Sequence, residues 1–373
     1  MNSSRQSGPL RRVDVGDVGD IALGAALLGT GGGGDPYIGR LLAASAMRQC
    51  GPVDIVAPED LADDAFVACA AMMGAPTVIV EKLPTLAVLD AALDGLEQRQ
   101  GRAVTALLPA EMGGINSLMP LALAARRRLP LVDADGMGRA FPELQMVTFN
   151  LAGHGASPLV MAADTGERVV IEAATSAGVE NLARSAIVAL GGSAAITCYS
   201  MSGAAARACV VAGTLTCARA FGRAIREGRS SGDPLALLLR SLSQTPHYAH
   251  HAVLARGKVR DLSRRIEGGF TQGRCVVQGA AGGCAIEFRN EYLVAESSAG
   301  ATLCSVPDLI AVLDEDSAEP LTTDQLKYGQ RVIVLGMSAP AALRTPAALE
   351  VMGPAAFGFR HPFVPLERLH PHA

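Results

Sequence analysis

From Phe66 onward, short apolar runs alternate with longer helical ones: FVACAAMMG, LAVLDAALDGLEQR, AVTALL, the helical stretch from Leu118 to Arg127, and LPLVD. Strand, helix, strand, helix, strand is an order that parallel pairing can use, because each parallel neighbour needs a crossover and a helix supplies it. Right-handed crossovers then predict an α/β domain with a mainly parallel sheet. Ligands of such sheets bind beyond the carboxyl ends of the strands. Here those ends are Met73–Pro76, Pro109–Gly114 and Asp133–Gly136, and polar residues and glycines collect at them.

The flanking sequence sets the domain plan. Residues 1–12 are polar and turn-rich and read as a disordered tail, and 13–245 read as the α/β domain carrying the site. Asp17 is placed to cap a helix through Leu28 with Gly29 ending it, and Asp35 before Pro36 starts a second helix. LVMAAD, TGE, RVVIE reads as a hairpin. A helix near Val179–Leu190, the strand SAAITCYS, small-residue helices from Gly203 to Glu227 and an Asp233-Pro234 helix start follow. After Pro246-His247 the alternation of strand and helix stops and short strand-like pieces carry the rest, so 246–373 reads as a second, β-rich domain.

Composition excludes some classes. With 373 residues and 49% hydrophobic content, two cores can be filled. A formal charge of −4, 4% aromatic residues and no Trp leave neither a basic field nor stacking platforms, so nucleic acid is not an expected partner. No run of about 18 apolar residues free of charge occurs, and the arginines near the start precede no apolar segment. The expectation is a soluble cytoplasmic protein with no membrane partner. Its eight cysteines form no CxxC pair and read as reduced, mostly buried thiols.

The segment from Glu111 to Glu143, EMGGINSLMPLALAARRRLPLVDADGMGRAFPE, places ionisable groups at both ends of an apolar helix. Carboxylates sharing a cleft push their proton affinities apart, which suits general acid and base roles, so Glu111, Asp133, Asp135 and Glu143 are the catalytic candidates. The bland alternative is that some of them cap helices, stabilise a turn before Gly136, or pair with Arg139. Asn116 and Arg139 are expected to orient substrate, Arg139 as a fork for a planar carboxylate. The run Gly31, Gly32, Gly33, Gly34 could hold a phosphate, make a tight turn between helices, or present amides to a small polar substrate. A helix precedes it and no Gly-Lys-Ser/Thr follows, so no nucleotide is expected.

Histidines and cysteines add less. His247 and His251 have helical ligand spacing, but Pro246 and the strand-like residues after them favour a linker. His154, following the acidic segment, is the better metal candidate, with Asp135, although a turn histidine is the plainer reading. Cys198, Cys209 and Cys217 sit in apolar runs where a structural role is expected. No nucleophile elbow, HExxH or SxxK motif is present.

GTGGGGDP, MGAPTVIVEK and the stretch from Glu111 through DADGMGRAFPELQM, followed by GKVRDL, GGFTQG, NEYLVA, VPDLIAVLD, YGQRVIVLG and GPAAFGF, resemble a bacterial family. It was long filed as a domain of unknown function and is now named for S-methyl thiohydantoin desulfurase. Arg289 stands before Asn290-Glu291 where the family pattern leads one to expect Gln. The resemblance implies an α/β first domain, a β-rich second one, and hydrolysis of an S-methylated thiohydantoin to hydantoin and methanethiol. That chemistry needs a base for water, an acid for ring nitrogen or sulfur, and donors for developing charge. Alternatively, a divalent metal such as zinc, held by carboxylates and a His, would activate the water. Relatives often accompany hydantoinase or oxoprolinase genes. A homo-oligomer or a complex with a partner hydrolase subunit is therefore the expected assembly. Cyclic-amide opening and a non-catalytic metabolite-binding regulatory subunit are the alternative functions.

Overall fold

The computed structural model describes residues 10–74, 76–82, 84–267, 270–280 and 282–372. Of the disordered tail expected over 1–12, residues 1–9 lie outside them, but Leu10 is buried with its amide on the Thr216 hydroxyl and Arg12 pairs with Asp54, so the ordered chain begins earlier than its polar sequence suggests. Ala75 of the first sheet-edge loop and Gly268-Gly269 of GGFTQG also lie outside the described residues. The first sheet contains β1 (Arg12–Val13), β2 (Val53–Val56), β3 (Phe66–Gly74), β4 (Ala106–Leu108), β5 (Leu131–Val132), β7 (Leu159–Ala162), β8 (Arg168–Ile171) and β9 (Ser193–Ser202). Its spatial order is β1-β2-β5-β4-β3-β9-β7-β8. Strands β2, β5, β4 and β3 are parallel, and the strands added on either side are antiparallel. Eight of the nine β3 residues are buried, which is why its sequence is continuously apolar rather than alternating.

Helices α1 (Val18–Leu28), α2 (Pro36–Cys50), α3 (Pro76–Lys82), α4 (Leu86–Gln100), α5 (Met119–Arg127), α6 (Thr148–Leu151) and α7 (Ser176–Ala189) intervene, followed by α8 (Gly203–Cys209), α9 (Thr214–Ser231) and α10 (Pro234–Leu242). Asp35 and Asp233 accept from first-turn amides of α2 and α10. Asp17 stands at the N-cap of α1 without a side-chain cap bond, because its carboxylate is drawn to Arg219 at 2.6 Å. α1 and α9 pack at glycines: a Cβ at Gly24 would lie 1.7 Å from the Ala218 carbonyl, and one at Gly222 1.8 Å from that of Asp20. A short ladder, β6 (Ala134–Asp135) with β10 (Val211–Ala212), ties the segment after β5 to the start of α9.

The second sheet has the order β15-β14-β13-β12-β11-β17-β16, and every neighbour in it is antiparallel. It comprises β11 (His251–Glu267), β12 (Phe270–Gly279), β13 (Gly282–Arg289), β14 (Glu291–Ser297), β15 (Thr302–Ser305), β16 (Leu309–Asp314) and β17 (Arg331–Met337). Strand alternation divides β16 and β17 between two cores. Leu309, Ala311, Leu313, Ile333, Leu335 and Met337 join the apolar cluster of the first sheet, whereas Ile310, Val312, Val332 and Val334 fill the second sheet's own core. The two sheets therefore share a continuous apolar interface. His247 lies in the turn region before β11, and its ring and that of His251 bond to the Ala212 and Ala249 carbonyls. All eight cysteines are free, and seven are buried.

Candidate active site

A cleft of about 400 Å³ opens where the carboxyl ends of β3 and β4 meet the second sheet. Its floor and walls include Gly31–Gly34, Glu111, Asn116, Phe141–Leu144, Glu180 and Arg184 from the first part of the chain. Asn290-Glu291 and Thr322–Gln325 come from the second.

Glu111 follows β4 by three residues and is buried. Burial pushes its carboxyl up to about 7, against the opposing pull of hydrogen bonds from Asn116 and the Phe141 amide. Asn116 donates to Glu111 Oε1 at 2.8 Å and to the Met72 carbonyl at 3.2 Å, and it accepts from the Met72 amide at 2.8 Å. Expected as a substrate donor, Asn116 instead fixes Glu111 to the free edge of β3, which extends beyond the end of β4.

The carboxyl that sequence reasoning missed is Glu291, first residue of β14. Asn290 takes a left-handed φ of 60° and is pinned there by its amide to the Thr271 carbonyl, its Oδ1 accepting from the Thr271 amide, and its carbonyl accepting from Thr323. That turn delivers Glu291 against Gly32, where a Cβ would lie 2.0 Å from Glu291 Oε1. Glycine at 32 is the room the carboxyl occupies. Glu291 Oε2 has no hydrogen-bond partner among the described residues. Its acidity is weakened most by burial and next by the negative charge of Glu111, and the charges of Arg139 and Arg184 oppose this, leaving it up at about 8. A signal existed in the sequence: one acidic residue flush against the apolar run YLVA after an Asn turn.

The glycine run joins the two sheets as well as lining the cleft. The Thr30 carbonyl accepts from the Tyr292 amide at 2.7 Å and that of Gly31 from the Thr323 amide at 3.0 Å. Among the described residues no group accepts from the Gly33 or Gly34 amide. Glu143 lines the cleft in an ion pair with Arg289 at 3.1 Å, so Arg289 bridges the second sheet to the loop that carries Glu143. The rings and charges around it are ordered: Phe270 lies between the guanidiniums of Arg184 and Arg289, at 4.5 and 4.0 Å.

The other expected site residues lie outside the cleft's lining. Asp133 accepts from the Thr216 amide at 3.0 Å and from its hydroxyl, holding the first turn of α9. Asp135 is fully buried, and its Oδ2 accepts from the Met137 and Gly138 amides at 3.2 and 2.8 Å; burial pushes it up to about 7. Both do the turn and capping work that Asp does wherever backbone amides lack partners. Arg139 is fully buried and bonds to the carbonyl of its neighbour Ala140 and to those of Tyr292, Pro307 and Asp308 in the second sheet and its β15–β16 turn rather than forking a substrate carboxylate. His154 and Asp135 do not meet in the cleft. Among the described residues no three His, Cys, Asp or Glu side chains gather as a metal ion would need. Cys198 lines the cleft, but burial pushes its thiol up to about 12, far from a thiolate nucleophile.

Fold and site together define a two-domain protein with a pair of buried, unequal carboxyls at the junction of an α/β sheet and an antiparallel one. The chain belongs to the S-Me-THD-like family: its N-terminal domain model matches 16–173 and its C-terminal domain model 174–366. The family's division falls before α7, so β9 of the first sheet belongs to the second model's span. The chain is similar to a protein from Chromobacterium violaceum solved by X-ray crystallography, at 25% identity and a TM-score of 0.82 over 96% of this chain and 100% of that one. No curated protein matches it.

Proposed function

We propose that this protein is a hydrolase that converts an S-methyl thiohydantoin to the hydantoin and methanethiol. The observation that carries the reading is the carboxyl pair Glu111 and Glu291, set to about 7 and about 8 in one cleft. Near neutral pH such a pair supplies one ionised and one protonated member, as acid–base catalysis requires. Glu111 takes a proton from water as its oxygen bonds to the ring carbon of the C=N unit, and Glu291 protonates the ring nitrogen. The tetrahedral intermediate then expels sulfur with the C–S bonding pair. The hydroxyl proton passes to Glu291, and Glu111 returns its proton to the thiolate, so water's oxygen becomes the new carbonyl and methanethiol leaves. The Gly33 and Gly34 amides, which donate to no group among the described residues, can stabilise the negative charge that develops as the intermediate forms and expels sulfur. Met72, Ile115, Phe141 and Ile196 give a flat ring and its methylthio group an apolar wall.

The test is incubation with S-methyl thiohydantoin, with thiol release read colorimetrically and the ring product by mass spectrometry. Equal amounts of methanethiol and intact hydantoin support the reading. A ring-opened acid points to cyclic-amide hydrolysis. A rise in melting temperature without any turnover identifies a binding protein.

A further inference from the structure

Behind the cleft wall lies a cation that forms no ion pair among the described residues. The Arg139 side chain is fully buried, and its five acceptors are neutral: the carbonyls of Ala140, Tyr292, Pro307 and Asp308 and the hydroxyl of Thr30, at 2.9 to 3.4 Å. These bonds satisfy its N–H groups but leave a full positive charge out of water, which is costly without a counter-charge. Asp308 is the one acidic residue among its partners, yet the Asp308 carboxylate is already held by Arg344 and by the Ala339 and Leu366 amides. The guanidinium stacks at 4.6 Å on Phe141, a cleft residue, and it grips Thr30 and Tyr292, the residues beside Gly31 and Glu291.

We infer that Arg139 is a positioning residue acting through Glu291: it fixes Thr30 and Tyr292, which stand beside the glycine loop and beside Glu291, and its buried charge is the counter-charge that favours the ionised carboxylate. Four charged groups then act on this corner: Glu111 from the loop after β4, Glu291 from β14, Arg139 from behind Phe141, and Arg184 from α7. Glu291 heads the charges that stabilise the Arg139 cation, and Arg139 in turn favours the ionised form of Glu291. The inference deepens the catalytic reading by naming what makes Glu291 able both to give and to take a proton.

The test titrates the Glu291 carboxyl without substrate, by carbon NMR of protein labelled at the glutamate side-chain carboxyl, with the resonance assigned by its absence in Glu291→Gln. Arg139→Gln keeps N–H donors for the carbonyls and removes the charge, so the Glu291 midpoint should move up by about one pH unit or more. Arg139→Lys keeps the charge and should leave the midpoint within a few tenths. Unmoved midpoints in both, or equal shifts in both, overturn the inference and leave Arg139 as a pin between the sheets. If only the lysine variant folds, an unmoved midpoint supports the inference and a shift of a full unit overturns it. Because no turnover is read, this outcome is separate from whether the protein acts on thiohydantoins.

Discussion

Replacing Gly32 with alanine puts one methyl group against the acid of the proposed pair. The new Cβ would lie 2.0 Å from Glu291 Oε1, 2.5 Å from its Cδ and 2.7 Å from its Cγ. To restore a contact of roughly 3.5 Å the carboxyl must withdraw by about 1.5 Å, and misplacement of a catalytic group by about 1 Å costs on the order of a hundredfold in rate. Gly32 does not sit in the left-handed region, so alanine there carries no backbone strain. Gly33 makes the control: its φ is 75°, and a Cβ would meet the Gly113 backbone at 2.6 Å. A left-handed alanine costs about 1–2 kcal/mol before any backbone displacement. Thiol release and thermal melts of Gly32→Ala and Gly33→Ala should therefore separate, the first losing rate at a nearly unchanged melting temperature and the second losing melting temperature as well as rate. Gly32→Ala with the parent rate, or parallel losses of rate and melting temperature in both variants, would refute the reasoning.

Two further outcomes follow from the same geometry. Glu111 and Glu291 rise from 4.5 to about 7 and about 8 on folding, so the folded protein holds protons that the unfolded chain releases. Their contribution to stability is full below the unfolded value and is lost as pH rises through the folded ones. The melting temperature should fall more steeply between about pH 5 and pH 9 in the parent than in the Glu111→Gln, Glu291→Gln double variant, and parallel curves would count against buried, proton-holding carboxyls. Asp135→Asn and Asp133→Asn disturb a turn and a helix start, so each should lower stability by about 1–2 kcal/mol in denaturant melts with little effect on rate. A hundredfold loss of rate at unchanged stability in either would return that residue to the site.

The central strands were legible because β3, α4, β4, α5 and β5 differ in the period and length of their apolar runs. Glu111 was legible for the same reason, since a polar residue just beyond a buried parallel strand faces the ligand edge. The roles of Asp133 and Arg139 were not. Asp133 caps a helix that begins about eighty residues later, and Arg139 serves carbonyls of the second sheet, so both answers depend on long-range packing. The direction of β9 was hidden too, because an apolar strand reads the same whether it lies parallel or antiparallel to β3. Glu291 needed the docking of two sheets, and Gly32 shows why one glycine in a run of four matters: the space it leaves is filled by a residue 259 positions away.

The central claim is that Glu111 and Glu291 work as base and acid across the domain junction. The pH dependence of kcat/KM for methanethiol release, in the parent and in Glu291→Gln, tests it most directly. The parent should give a bell with limbs near the Glu111 and Glu291 values of about 7 and about 8. Glu291→Gln should lose about a hundredfold or more in rate together with the basic limb. A Glu291→Gln protein that keeps the parent's rate and both limbs would contradict the account.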